Sequence, residues 1–235
     1  MSKFDTGSLA ANEKSQEGER RGEFSRKWRI QDWFDNFDVE KEKKLRAYFI
    51  ELIHFNGRIN LISTRSEENG DLIHITDCII AGSIILGSTK QREIYDIGSG
   101  NGLPGIVMAI LDPDRQFVLI DRDAKKIEFI KHICSRVGIK NVSAQQARVE
   151  DLKSGTVHCA VSRGFASLSK SVITLRKASP VGGEYFHMKS DSWVREVAQI
   201  PTQLCAFWEP SLVSEYQLPT VESKFSVVLT KKIRE

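Results

Sequence analysis

One stretch constrains this chain more than any other, Ile94-Tyr95-Asp96-Ile97-Gly98-Ser99-Gly100-Asn101-Gly102-Leu103-Pro104-Gly105. A short apolar run ends in an acid, a turn follows with glycine at alternate positions, and Pro104 is suited to open a helix, where its missing N–H had no partner to lose. Glycines let the backbone bend sharply and approach a ligand closely. The stretch therefore reads as strand, cofactor loop and helix.

Gly100 to Gly105 is formally a G-x-G-x-x-G, the fingerprint of dinucleotide-binding domains. Two features point elsewhere. Asp96 stands at the strand tip, where a carboxylate repels a pyrophosphate but suits a ligand carrying an ammonium and a sulfonium. Gly98 extends the pattern to D-x-G-x-G-x-G, the first motif of S-adenosylmethionine-dependent methyltransferases. A dinucleotide-binding, oxidoreductase-like domain and a non-catalytic RNA-binding module stay open as alternatives.

The 235 residues suit one domain with a short appendage. The divisions expected are a flexible polar tail over 1–25, a helical extension over 26–88 and an α/β domain over 89–235. No apolar run is read as approaching 18 residues, so no transmembrane helix is expected, and the N-terminus lacks a hydrophobic signal core. Cys78, Cys134, Cys159 and Cys205 show no C-x-x-C spacing. They read as reduced thiols of a cytoplasmic protein, with no metal site. A net charge of +3 permits a nucleic-acid partner without requiring one. A monomer is expected.

Helices are expected over 28–37, over 40–56 with Gly57 as a left-handed stop, and over 71–86. His74 and Asp77, three apart, share a face of the last, either to bond each other or to shape the cofactor pocket. Beyond residue 92 strands and helices alternate. Asp121 closes the second strand, where an acid accepts bonds from ribose hydroxyls, while Asp123 is placed to cap the next helix. That helix carries Lys125, Lys126, Lys131 and Arg136 on its outer face, a surface for RNA phosphate or for solvent alone. Arg148-Val149-Glu150 follows the third strand, at the turn that borders an adenine in such sheets. The fourth strand is read as 157–161, ending in Ser162-Arg163-Gly164. No N-P-P-Y segment stands there to position an amine, and no Pro-Cys pair to attack a pyrimidine. A fifth strand over 184–188 ends at Lys189, and the last two are read as 204–208 and 225–230, paired as an antiparallel hairpin.

These pieces together resemble the RsmG (GidB) family of bacterial small-subunit rRNA guanine-N7 methyltransferases. The resemblance runs through Asn60-Leu61-Ile62-Ser63, His74-Ile75-Thr76-Asp77, the glycine loop with Leu103-Pro104-Gly105, Leu119-Ile120-Asp121, Lys125 to Phe129, Arg148-Val149-Glu150, Val161 to Ala166, and Lys189. It implies a Rossmann-like class I methyltransferase sheet, S-adenosylmethionine as cofactor, and 16S rRNA or the small ribosomal subunit as partner. With Gly100 and Asp121 from the loop and second strand, it implies cofactor contacts at Gly98, Leu103, Val149, Glu150 and Arg163. Arg163 and Lys189 are expected to orient the substrate. Gly164 and Ser190 depart from the family's usual alanine and glycine, beside the expected guanine pocket.

Overall fold

The computed structural model describes residues 28–235. The tail expected over 1–25 lies outside the described residues. Helix α1, Ile30–Trp33, is shorter than expected, because the chain soon turns at Asn36, whose φ is 58°. Helix α2, Val39–Ile59, begins where the Asp38 carboxylate accepts the Lys41 N–H at 2.8 Å. Its Leu45, Tyr48, Phe49 and Leu52 are buried. Gly57 does not stop it. The helix runs on to Asn60, which takes the left-handed conformation at φ 49°. Asparagine tolerates that region, and Asn56 draws the chain round by accepting the Leu61 and Ile62 N–H groups, each at 2.7 Å.

After the short α3, Thr64–Glu67, the helix expected over 71–86 proves to be two segments. A π-helix, Asp71–Thr76, leads directly into α4, Asp77–Ser88. Fully buried Asp71 meets the Arg29 guanidinium at 2.7 Å. Contrary to the reading from sequence, the 18 residues Asp71–Ser88 are long and apolar enough to cross a membrane. Their apolar surface is used internally, with Ile75, Cys78, Ile79, Ala81 and Ile85 buried in the core.

The remainder alternates. The elements are β1 Glu93–Ile97, α5 Gly105–Leu111, β2 Gln116–Asp121, α6 Ala124–Val137, β3 Val142–Gln146, β4 Cys159–Arg163, α7 Leu168–Leu175, β5 Glu184–Ser190, α8 Trp193–Ala198, α9 Thr202–Cys205, β6 Trp208–Gln217 and β7 Lys224–Lys232. They build a seven-stranded sheet ordered β3-β2-β1-β4-β5-β7-β6. All neighbours are parallel up to β5, while β7 runs antiparallel between β5 and β6. This is the Rossmann-like class I methyltransferase sheet with helices ahead of it. One apolar core joins α2, α4, α5 and α6 to a face of the sheet, and a second, with Ile97, Val157, Val172, Tyr185 and Trp208, lines the other.

Two strand assignments shift. Arg163 is the last residue of β4, not a residue beyond it. Leu204 and Cys205, expected to open a strand, instead close α9, and the strand starts only at Trp208. As an edge strand with one neighbour and alternating burial, β6 shows no continuous apolar run to mark it. The register that decides the site sets Asp96 beside Leu119 on β2 and Val161 on β4. The strand order reverses at β1 and β4, and ligands of such sheets bind outside the carboxyl ends at that point.

Candidate active site

The turn after β1 is tied by its own backbone. Ser99 N–H reaches Ile120 O at 2.9 Å, and Gly102 N–H closes on Ser99 O at 2.7 Å. Gly98, Gly100 and Gly102 all have left-handed φ, at 68°, 55° and 94°. Gly105 needs its missing side chain for another reason. A Cβ there would sit 2.7 Å from Asp96 Oδ2 and 2.8 Å from Leu119 Cδ1. Its N–H instead donates to Asp96 Oδ2 at 2.8 Å. Pro104 stands just before the first residue of α5, one place earlier than a first helical turn. Helix α2 supports the loop from outside, with Tyr48 donating to Asn101 O at 2.8 Å.

Asp96 is wholly buried, and burial pushes its carboxyl up to about 7, a shift opposed by the Gly105 N–H. Its Oδ1 and the buried Ser99 Oγ have no hydrogen-bond partner among the described residues. Buried polar atoms are ordinarily paired, so this turn is built to take a polar ligand or water. Asp121 accepts the Gly100 N–H at 2.8 Å through Oδ2 and the Asp123 N–H at 2.9 Å through Oδ1. A carboxylate has about four acceptor positions, so two stay free for hydroxyls. Asp123 caps α6 as expected, accepting the Lys125 N–H at 2.9 Å.

Val149 is buried and opens a short 3-10 turn, Val149–Asp151, after β3. Glu150 is exposed and loosely paired with Arg148 at 3.8 Å. Leu103 is a core side chain, with its N–H on Asn101 Oδ1 at 3.2 Å.

Arg163, at the tip of β4, is not a free cation. Its Nε donates to Asp77 Oδ2 at 2.8 Å and its Nη2 to Ile73 O at 2.7 Å. His74 and Asp77 do not bond each other; both serve Arg163, His74 through Nδ1 at 3.3 Å. The other His74 nitrogen meets Ser66 Oγ at 2.9 Å, and that hydroxyl donates to Ser63 O. His74 is therefore neutral with its proton on Nε2, and burial beside Arg163 lowers its pKa to about 4. Lys189 is engaged too, with Nζ on Glu196 Oε2 and Ala166 O, each at 2.8 Å. The pair expected to orient the substrate is thus internally compensated. On α6, Lys131 pairs with Glu128 and Arg136 with Glu51, while Lys125 and Lys126 carry no ion pair among the described residues. Gly164, at φ 65°, sends Phe165 back across the loop, and its ring occupies the space a Cβ on Gly98 would need.

A family model described as rRNA small subunit methyltransferase G (GidB) matches residues 41–217. This chain belongs to that family. A relative from Bdellovibrio bacteriovorus, Ribosomal RNA small subunit methyltransferase G 3, is 42% identical over 207 residues, covering 88% of this chain and 94% of the relative. Ribosomal RNA small subunit methyltransferase G of Psychromonas ingrahamii is 31% identical over 197 residues, covering 83% and 91%. A solved SAM-dependent methyltransferase from Aquifex aeolicus overlays with a TM-score of 0.50 at 11% identity, over 66% of this chain and 91% of that one. That last likeness speaks for the fold alone. As an rRNA small subunit methyltransferase G, the chain is an S-adenosylmethionine-dependent enzyme.

The residues present fit that cofactor. The glycine cradle, the open positions on Asp121 and the unpartnered Asp96 Oδ1 gather at the carboxyl end of β1 and β2. Reasoning from sequence missed Tyr48, Asn56, Ser66, Phe165 and Tyr216. Tyr216 OH, from β6, donates to Asp77 Oδ1 at 2.6 Å. Of these Phe165 lay inside a stretch that carries the resemblance and Asn56 stood next to Gly57, whereas nothing in the sequence ties Tyr216 to Asp77.

Proposed function

We propose that this enzyme methylates N7 of a guanine in 16S rRNA, with Gly98, Gly100, Leu103, Asp121, Val149, Glu150 and Arg163 forming the cofactor side. The observation that carries this reading is the engagement of His74 and Asp77 beside Arg163 at the β4 tip. Both His74 nitrogens are bonded, Asp77 is held by Arg163 and Tyr216, and Asp96 is fully buried. Such a site orients a base and is poorly equipped to remove a proton. Guanine N7 suits it, having an in-plane lone pair and no proton to lose.

S-adenosylmethionine supplies an electrophilic methyl carbon on a sulfonium. The protein's part is placement, which can contribute on the order of 7–11 kcal/mol when reacting atoms are held in line. Asp121 and the glycine turn hold the nucleoside end, Val149 and Glu150 border the adenine, and Arg163 marks the end where the methyl leaves. Lys189, fixed to Glu196, shapes the substrate side. A guanine in folded RNA is presented from a loop or turned out of its stack. The cytoplasm is the compartment that fits an rRNA substrate and four free thiols.

The test is chemical. N7-methylguanine is cationic, and after borohydride reduction aniline breaks the strand there. Small-subunit RNA from a strain lacking this protein is expected to lose one such cleavage and regain it on complementation. An unchanged pattern would refute the N7 assignment and leave the cofactor reading standing.

A further inference from the structure

Arg163 offers five N–H groups in a fixed planar fork. Nε–H goes to Asp77 Oδ2, and the two hydrogens of Nη2 go to Ile73 O and His74 Nδ1. Nη1 has no partner among the described residues, and the side chain keeps 24% of its surface exposed. The π-helix is what brings two acceptors to one nitrogen, since Ile73 O and His74 Nδ1 come from adjacent residues of that wider turn. Such π-turns inside helices recur at functional sites.

Arginine and carboxylate ordinarily prefer a two-point, fork-on-fork pairing. Here the ion pair is one-point. The second Asp77 oxygen is occupied by Tyr216 OH at 2.6 Å, and Asp77 keeps only 7% of its side-chain surface exposed. With Oδ1 filled, the guanidinium has no reason to swing Nη2 off Ile73 O. Burial, and next Asp77 beside it, raise the Tyr216 pKa well above its ordinary value, so the hydroxyl stays a donor.

We infer that Tyr216 and Asp77 are positioning residues, which hold Arg163 against the π-helix with its Nη1 group alone presented to the cofactor. This rests on the reading of Arg163 as a cofactor contact. It assigns a role to β6, the edge strand beyond the parallel part of the sheet, and it links residues 139 positions apart.

A double-mutant cycle tests it, with S-adenosylhomocysteine affinity measured by calorimetry and folding checked by thermal unfolding. Tyr216→Phe is expected to weaken binding about three- to tenfold, the scale of one hydrogen bond. Arg163→Lys keeps the charge and loses the fork, and is expected to weaken binding at least as much. In the Arg163→Lys background, Tyr216→Phe is expected to add nothing, because the group it positions is gone. Equal losses in both backgrounds, or no loss in the first, would overturn the positioning role while leaving the cofactor reading intact. A wild-type protein that binds no S-adenosylhomocysteine would overturn the cofactor reading and this inference with it.

Discussion

The carboxylate of Asp121 accepts the N–H of Gly100 at 2.8 Å, binding the end of β2 to the turn after β1 across 21 residues. One side chain thus shapes the loop and, on the proposed reading, keeps acceptor positions for a ribose. Asp121→Ala removes both functions. It is expected to weaken S-adenosylhomocysteine binding by about 1.5–3 kcal/mol, the scale of a hydrogen bond to a charged group. Titration calorimetry checks this, and an unchanged affinity would mean that the hydroxyls are held elsewhere.

Gly98 has two reasons to be glycine, a φ of 68° and the Phe165 ring in the place of its Cβ. Gly138, at φ 71°, has only the first, since a Cβ there would meet nothing within 4 Å. Gly138→Ala is expected to cost about 1–2 kcal/mol of stability through backbone strain alone. Gly98→Ala is expected to lose more, and to lose cofactor affinity as well. Denaturant unfolding of both variants beside ligand titration separates the two, and equal stability losses with intact binding would argue against the close approach of Phe165.

Asp96 and His74 pull stability in opposite directions with pH. The Asp96 carboxyl, raised to about 7 in the fold by burial, holds a proton that the unfolded chain sheds near its ordinary value of about 4. Its contribution therefore falls as pH rises from about 4 to 7. His74, lowered to about 4 by burial and then Arg163, stays neutral where the unfolded chain takes a proton below about 6.5. Its contribution rises with pH over about 4 to 6.5. Asp96→Asn removes the first effect, so the variant's stability is expected to climb more steeply with pH across this range than the wild type's. Parallel pH profiles from denaturant unfolding at pH 5 and pH 7 would place the Asp96 pKa near its ordinary value.

The glycine loop was legible because its demands are local, and spacing alone shows where the backbone must turn left-handed. The same is true of Asp123 at the start of α6, and of the apolar run that became β2. The pairing of Arg163 with Asp77 was not legible, since it joins residues 86 apart through a fold that must first exist. The π-helix was hidden because Asp71-Leu72-Ile73-His74-Ile75-Thr76 continues without a break into α4. Gly57 misled because glycine marks many helix ends, whereas here the Asn56 side chain sets the stop three residues later. β6 eluded the pattern because an edge strand with mixed burial carries little periodic signal.

The proposed reaction moves a methyl group onto guanine N7 of 16S rRNA. Its most direct test combines purified protein, methyl-labelled S-adenosylmethionine and small ribosomal subunits from a strain lacking the enzyme. The recovered 16S RNA is then treated with borohydride and aniline. The expected result is label at one position, with the strand broken at that same position, and neither event with the Asp121→Ala enzyme at limiting cofactor. Label in 16S RNA without strand scission would instead place the methyl on an atom other than N7 and refute the proposed reaction.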